Sequence, residues 1–225
     1  MLLKTAASKT NDLAELSELT QRPGLSPKTK ALIEQEIRNI KSGVVGEQNA
    51  TFEINTILSP ASRNWMVIHD LRVEHRGVVA QIDHVLINRL LDVFVIESKN
   101  FSEGISVNEH GEFTAFYNGK PRGIASPVEQ NARHIRVLEA LFESDAISLP
   151  RRLGFKLRPK FINVVLVANK ARISRPKNTV PGLDSLMKCE KLSKFLDSSA
   201  ENSSLLKAIG QDTLEIIGRE LALCH

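Results

Sequence analysis

The sequence predicts an α/β fold with a mixed sheet flanked by helices. Residues 80–100 contain two Val- and Ile-rich runs of strand length, AQIDHVLI and LLDVFVIESKN, joined by a short polar break. Residues 126–143, SPVEQNARHIRVLEALFE, have the spacing of an amphipathic helix, and the apolar run FINVVLVA follows at residues 161–168. A strand that follows a long helix favours a parallel crossover, so antiparallel and parallel pairs are expected in one sheet.

The composition is that of an ordinary globular protein. The chain has 225 residues, which suits one domain or one domain with an appendage. Its hydrophobic fraction of 42% and its charged fraction of 25% allow a core of normal size. The net charge of +4 is compatible with an anionic partner such as nucleic acid, but it does not by itself demonstrate one.

The sequence predicts a cytoplasmic protein without a membrane partner. Cys189 and Cys224 lack the CxxC spacing of a zinc site, and two reduced cysteines are favoured over a disulfide. The N-terminal segment MLLKTAASKTNDLAEL has no continuous apolar core, so it does not resemble a signal peptide. No run approaches the roughly 18 apolar residues that a membrane span requires.

The order of elements divides the chain into three expected segments. Residues 1–40 form a helical extension, with a short helix in DLAELSELT and a second helix that starts at Pro27 and ends near Lys41. Residues 41–180 form the core, and residues 181–225 form a tail of two or three short helices. Within the core, the turn between Gly43 and Gly46 is expected to precede a separate helix, EQNATFEINTILS.

Strands are expected to dominate the first part of the core. The segment WMVIHDLRV, at residues 65–73, is predicted to be a strand with a turn near Asp70. The hairpin of residues 80–100 follows it, and shorter strands are expected at residues 105–108 and 112–118. Residues 65–118 together are interpreted as a largely antiparallel meander.

The apolar hairpin is interrupted by three charged residues, Asp83, Glu97 and Lys99. Their presence needs an explanation, because a buried charge is costly unless it is paired or binds a metal. Strand alternation places Glu97 and Lys99 on one face. If residues 88–90 form a three-residue turn, Asp83 lies opposite Val95 and Glu97 is its diagonal neighbour. Two carboxylates and an ammonium group would then meet at one end of the hairpin.

Carboxylate oxygens are hard ligands that suit Mg²⁺ or Mn²⁺. A lysine two residues from a ligand carboxylate shares its face and can stabilise a charged transition state. The alternative is a strand-end salt bridge between Glu97 and Lys99, which would contribute little. Glu47 likewise has a structural interpretation, as a carboxylate near a helix N-terminus.

The order of four motifs resembles a known family. GVVGEQNATFEI, QIDHVLI, VFVIESKN and SPVEQNARHIRVL occur in the order of the nuclease-related domain called NERD, over roughly residues 41–145. That domain is similar to the PD-(D/E)xK superfamily, which includes restriction endonucleases and Holliday-junction resolvases. The resemblance implies a restriction-endonuclease-like mixed sheet flanked by helices, here with extra N- and C-terminal helices.

The resemblance also implies roles for five residues. Asp83 and Glu97 would bind the metal ion, Mg²⁺ or Mn²⁺, Glu47 would help to bind it or orient a water molecule, and Lys99 would be the catalytic ammonium. Gln130 corresponds to a glutamine on the following helix that places the site or contacts DNA. His84, next to Asp83, is interpreted as a structural histidine.

Three functions are open at this stage. The first is a metal-dependent nuclease that hydrolyses DNA, or RNA, in DNA processing, repair or defence. The second is a catalytically silent nuclease-fold module that binds nucleic acid or a protein. The third is an assembly role, in which the terminal helices form a homo-oligomer. The basic segment 151–177 contacts phosphates in the first two readings or is simply a solvated surface.

Overall fold

The fold was analysed in a computed structural model that describes residues 1–5, 9–59, 61–101, 103–201 and 207–224. The α-helices are α1 (Thr10–Thr20), α2 (Pro27–Ile57), α3 (Pro127–Glu143), α4 (Leu192–Glu201) and α5 (Gln211–Ala222). The strands are β1 (Leu2–Lys4), β2 (Trp65–His75), β3 (Val78–Asn88), β4 (Asp92–Lys99), β5 (Gly104–Val107), β6 (Phe113–Tyr117), β7 (Lys120–Ile124), β8 (Arg151–Arg152), β9 (Phe155–Lys156), β10 (Lys160–Val167), β11 (Arg172–Ser174) and β12 (Leu186–Lys188).

The predicted mixed sheet is confirmed. Its strand order is β1-β2-β3-β4-β10-β12 in the part of the chain that the structure describes. The central strands β2, β3 and β4 are antiparallel, whereas β10 runs parallel to both β4 and β12. The chain passes from β4 to β10 through α3, which is the parallel crossover that the sequence favoured.

Helices cover both faces of this sheet. On one face, Leu138 and Phe142 of α3 and Leu214 of α5 pack against β2, β3 and β4 in one buried cluster. On the other face, Ile54 of α2 and Leu192 at the start of α4 pack against β4 and β10 in a second cluster. Because both faces are covered, β4 is buried along almost its whole length, and its residues 93–96 are apolar.

The helix α2 is continuous, and the turn predicted between Gly43 and Gly46 is wrong. Ser26 caps its N-terminus by accepting a hydrogen bond from the backbone nitrogen of Thr29 at 3.0 Å, and the helix then runs to Ile57. Glycine inside a helix costs roughly 1 kcal/mol relative to alanine. Tertiary packing overrides this local preference, since the C-terminal half of α2 buries its apolar side against the sheet.

The β3–β4 turn lies one residue later than predicted. β3 ends at Asn88 and β4 begins at Asp92, so the turn comprises residues 89–91 rather than 88–90. The Asn88 side chain explains the difference, because its Oδ1 atom accepts hydrogen bonds from the backbone nitrogens of Leu90 and Asp92. Moving the turn by one residue changes the pairing by two positions, which preserves the predicted alternation of faces.

The antiparallel meander predicted for residues 65–118 is divided between two sheets. β4 pairs with β3 on one side and with β10 on the other, so no edge of β4 is left for β5. β5 and β6 instead belong to a second sheet, with order β11-β5-β6-β7. This second sheet stands beside the C-terminal end of β4.

Both ends of the chain pack on the main sheet. β1 pairs with β2, α5 contacts β2, and β12 pairs with β10. The expected boundary between residues 40 and 41 falls inside α2, while the three-segment division stays a prediction. The tail contains α4 and α5, and its residues 202–206 lie outside the described residues. Across the described ranges, no helix combines the length and apolar character needed to span a membrane.

Candidate active site

A cavity of about 780 Å³ opens at the C-terminal end of β4. Four of the five predicted site residues line it, namely Glu47, Asp83, Glu97 and Lys99. The fifth, Gln130, reaches the same group from α3, because its Nε2 atom donates a hydrogen bond to Glu97. Residues from α2, β3, β4 and α3 therefore come together at one place.

Glu47 reaches this place because α2 passes very close to the end of β4. Gly46 is buried, and a Cβ atom on it would lie 3.0 Å from the backbone nitrogen of Asn100 and 3.1 Å from the Asn100 Cβ. The Asn100 side chain also donates to the carbonyl oxygen of Ser42 at 3.2 Å. The next residue of the helix, Glu47, is thereby directed to the cavity.

Asp83 is held by the backbone and side chain of Ser98. The backbone nitrogen and the hydroxyl group of Ser98 each donate to Oδ2 of Asp83, both at 2.7 Å. The predicted position of Asp83 opposite Val95 is wrong, because Val95 pairs with Val85. The same register, extended by one position beyond the His84–Ile96 pair, sets Asp83 opposite Glu97 itself.

Glu97 is the most deeply buried carboxylate of the group, with 3% of the residue exposed. Its Oε1 atom accepts from Nζ of Lys99 at 2.6 Å and from Nε2 of Gln130 at 2.9 Å. Its Oε2 atom is buried and has no hydrogen-bond partner among the described residues. Nδ1 of His134 lies 3.6 Å from this oxygen.

Burial and like charges raise the pKa values of two of the carboxyl groups. The pKa of Glu97 is raised to about 7, first by burial and then by the negative charge of Asp83, while Lys99 opposes the shift. The pKa of Glu47 is also raised, by burial and again by Asp83. The positive charges of Lys99 and, at Glu47, of Lys9 therefore compensate this cluster of three acidic groups only in part.

Neighbouring side chains engage the acidic residues of the site. Within the ranges that the structure describes, no group of three or more His, Cys, Asp or Glu side chains is placed to hold a metal ion. Lys99 occupies the position beside Oε1 of Glu97, and Ser98 engages Oδ2 of Asp83. The donors nevertheless have the chemistry that Mg²⁺ and Mn²⁺ prefer, and Oε2 of Glu97 is a buried oxygen that lacks a donor in the described structure.

Two histidines near the site have different environments. His84, predicted to be structural, is buried, and its Nδ1 atom lies 2.8 Å from Nδ1 of His69. His134 is a contact of Glu97 that the sequence interpretation did not include among the site residues. Its signal was present in the sequence, because it follows Gln130 by four residues and such residues share a helix face.

The mixed sheet flanked by helices, with an acidic pair and a lysine at the end of its central strands, defines a nuclease-like α/β protein. The sequence matches the family profile described as nuclease-related domain, NERD, over residues 42–168, which is more than half of the chain. The chain therefore belongs to the NERD family. Comparison with curated proteins and with solved structures finds no match.

Proposed function

We propose that the protein is a metal-dependent nuclease that hydrolyses DNA phosphodiester bonds, in DNA processing, repair or defence. The observation that carries this proposal is the environment of Glu97. Its carboxylate is buried beside the Lys99 ammonium, in a cavity that Asp83 and Glu47 also line. Membership of a nuclease-related family agrees with this chemistry.

Asp83, Glu97 and Glu47 are the residues that would hold Mg²⁺ or Mn²⁺. A divalent ion bound there would supply an activated water and would neutralise charge that develops on the phosphate. The crowding of negative charge supports the assignment, since Asp83 contributes to the raised pKa of both Glu47 and Glu97. A bound cation would relieve this repulsion, and it would give Oε2 of Glu97 a partner.

The chain's own residues have distinct tasks in this proposal. Lys99 is partly exposed to the cavity, so its ammonium can approach a phosphate oxygen and stabilise the charge of the transition state. Gln130 fixes the orientation of the Glu97 carboxylate through its hydrogen bond to Oε1. Ser98 does the same for Asp83 through two hydrogen bonds.

The test is incubation of plasmid and linear DNA with the protein in Mg²⁺, Mn²⁺ or EDTA. We expect cleavage with either metal ion and none in EDTA. Lys99→Ala should lower the rate by on the order of 10²–10³, the usual effect of removing one electrostatic stabiliser. Lys194→Ala, which removes an exposed lysine of α4, is the matched control. Cleavage that persists unchanged in Lys99→Ala and in Glu97→Gln would refute this site.

A second candidate is a catalytically silent module that binds nucleic acid or a protein partner. It is favoured by the direct ion pair of Glu97 with Lys99 and by the absence, among the described residues, of a ready metal cluster. This module would bind DNA with a steep salt dependence and would hydrolyse none of it in either metal ion. The same plasmid assay, combined with a binding titration, separates the two candidates.

A further inference from the structure

The cavity has acidic groups at its floor and mainly basic and amide side chains on its two walls. One wall is α2, which contributes Gln35, Arg38 and Asn39. The other wall is the β6–β7 hairpin, which contributes Tyr117, Lys120 and Arg122. The proposed chemistry at the floor of the cavity involves none of these wall residues, which leaves them free to bind a ligand.

The α2 wall is a row of exposed side chains that are connected by hydrogen bonds. Nε2 of Gln35 donates to Oδ1 of Asn39 at 2.9 Å, and Nη2 of Arg38 donates to Oε1 of Gln35 at 3.0 Å. Arg38 therefore has one guanidinium nitrogen fixed and others that can meet a phosphate. These residues precede residue 42, so this wall lies outside the part of the chain that matches the family profile.

The hairpin wall is held in a defined position. Tyr117 pairs with Lys120 and Ala115 pairs with Arg122, so Tyr117, Lys120 and Arg122 share one face of the hairpin. The carboxylate of Glu103 fixes the turn by accepting hydrogen bonds from the backbone nitrogens of residues 118 and 119. Tyr117 is the single tyrosine of the chain, and 41% of it is exposed.

We propose that these two walls bind single-stranded DNA, with Tyr117 stacking on one unpaired base and Arg38 and Arg122 contacting the backbone on either side. An aromatic ring between basic side chains is how sequence-tolerant proteins hold single strands. In the interior of a duplex, both faces of each base are covered by neighbouring base pairs, so Tyr117 could not stack there.

This inference deepens the proposed function, on which it rests, because it names the form of DNA that the site receives. Its test measures binding alone. A labelled 12-nucleotide single strand and a blunt duplex of the same sequence are titrated with the full chain in EDTA, and fluorescence anisotropy reports the dissociation constant. We expect the single strand to bind more tightly than the duplex.

The variants isolate the stacking contact. Tyr117→Ala should weaken single-strand binding by about 5- to 100-fold, as expected for loss of one stacked base, and should change duplex binding little. Tyr117→Phe keeps the ring and should remain close to the wild type. Phe52→Ala removes an aromatic residue of α2 that is 70% exposed and does not line the cavity, and it is the matched control.

A second measurement does not depend on Tyr117. Arg122→Gln should reduce the slope of log affinity against log salt for the single strand by about 0.7, the value for one phosphate contact. Equal affinity for duplex and single strand, or equal behaviour of Tyr117→Ala and Phe52→Ala, would overturn the inference. Tyr117-dependent binding without cleavage would overturn the nuclease proposal alone, whereas cleavage without any dependence on Tyr117 would overturn the stacking contact alone.

Discussion

Gly46 of α2 and Asn100 at the end of β4 are in backbone contact. A Cβ atom on Gly46 would stand 3.0 Å from the Asn100 nitrogen, a distance that side-chain movement cannot relieve because the neighbour is backbone. Gly43 lies one turn earlier in the same helix, and the nearest atom to its Cβ position is a Glu47 side-chain oxygen at 4.0 Å. The two glycines thus share a helix and differ in their surroundings.

Gly46→Ala is therefore expected to be less stable than Gly43→Ala. Both substitutions gain the same helix propensity, about 1 kcal/mol, so the difference between them isolates the contact with Asn100. We expect a difference of about 1–3 kcal/mol in the free energy of unfolding, the usual cost of overpacking. Urea denaturation measures it. Equal stability of the two variants would mean that α2 does not approach β4 as closely as described.

The same pair of variants should differ in function. Moving α2 away from β4 would move Glu47 away from Asp83 and Glu97, so Gly46→Ala should lose DNA cleavage even where it remains folded. Gly43→Ala should keep it. A folded, fully active Gly46→Ala would contradict the expectation that this contact holds Glu47 in the site.

The sequence located the acidic and basic residues of the site but not all of their partners. β3 and β4 were recognisable because Val and Ile alternate with few polar residues, and the alternation assigned Glu97 and Lys99 to one end of the hairpin. The predicted β3–β4 register was wrong by two positions, because the side chain of Asn88 determines it. Asn88 closes the turn with its amide oxygen, and nothing in the local sequence distinguishes this arrangement from the turn that was predicted.

Other elements were missed because tertiary contacts form them. β1 and β12 are three residues long, too short for a periodic signal, and they exist because the edges of β2 and β10 offer unpaired backbone groups. The walls of the cavity come from residues 35–39 and 117–122, which are far apart in the chain. No spacing rule brings such segments together before the fold is known.

The pH dependence of stability should report the buried carboxyl group of Glu97. Its pKa rises from an ordinary value of 4.5 to about 7 in the folded protein. Between these values the folded state binds the proton and the unfolded state does not, so the stability that Glu97 contributes is complete below pH 4.5 and is lost as the pH rises through 7. The loss should be on the order of 3 kcal/mol.

Glu97→Gln tests this expectation, because the amide keeps the shape of the side chain and cannot ionise. Urea denaturation in EDTA at pH 5, 6, 7 and 8 gives the free energy of unfolding of both proteins. The variant should gain stability relative to the wild type as the pH rises, while its cleavage activity is lost. A difference between the two proteins that stays constant across this range would contradict the raised pKa.

The buried pair His69 and His84 should make the protein less stable as the pH falls, which is opposite to the effect of Glu97. The pKa of His84 is lowered to about 3 by burial and by His69, and the pKa of His69 is lowered to about 4 by burial. Since Oδ1 of Asn55 accepts from Nε2 of His69 at 3.3 Å, Nδ1 of His69 is the acceptor and Nδ1 of His84 is the donor. Both rings are thus neutral in the folded protein. Their stabilisation is complete above pH 6.5 and is lost as the pH falls below it.

His84→Leu should change this acid profile. It removes the donor to His69 and should cost about 1–3 kcal/mol at pH 7.5. Below pH 6.5, the free energy of unfolding of the wild type falls by up to about 1.4 kcal/mol per pH unit for each of the two histidines. In the variant, only the contribution of His69 is lost. The gap between the two proteins should narrow from pH 7.5 to pH 5 in urea denaturation. His110→Ala, which removes an exposed histidine, is the control and should keep the wild-type profile.

His134 should position Glu97 rather than take part in bond breaking. Its Nδ1 atom is buried and without a hydrogen-bond partner in the described parts of the chain, and it lies 3.6 Å from the equally unpartnered Oε2 of Glu97. Burial lowers the pKa of His134, so the neutral ring, with its proton on Nδ1, is the form that can donate to this oxygen after a small movement.

Asn places an amide nitrogen near the position of Nδ1, whereas Leu fills the space without a donor. We therefore expect His134→Leu to require about 10- to 100-fold more Mg²⁺ for half-maximal cleavage, the usual effect of losing a group that orients a ligand. His134→Asn should recover most of this loss. The measurement is the cleavage rate of plasmid DNA as Mg²⁺ is titrated, with urea denaturation of both variants to compare their folding. If Asn and Leu impair cleavage equally while both proteins remain folded, the hydrogen bond to Glu97 does not form, and His134 serves only to fill the space beside the carboxylate.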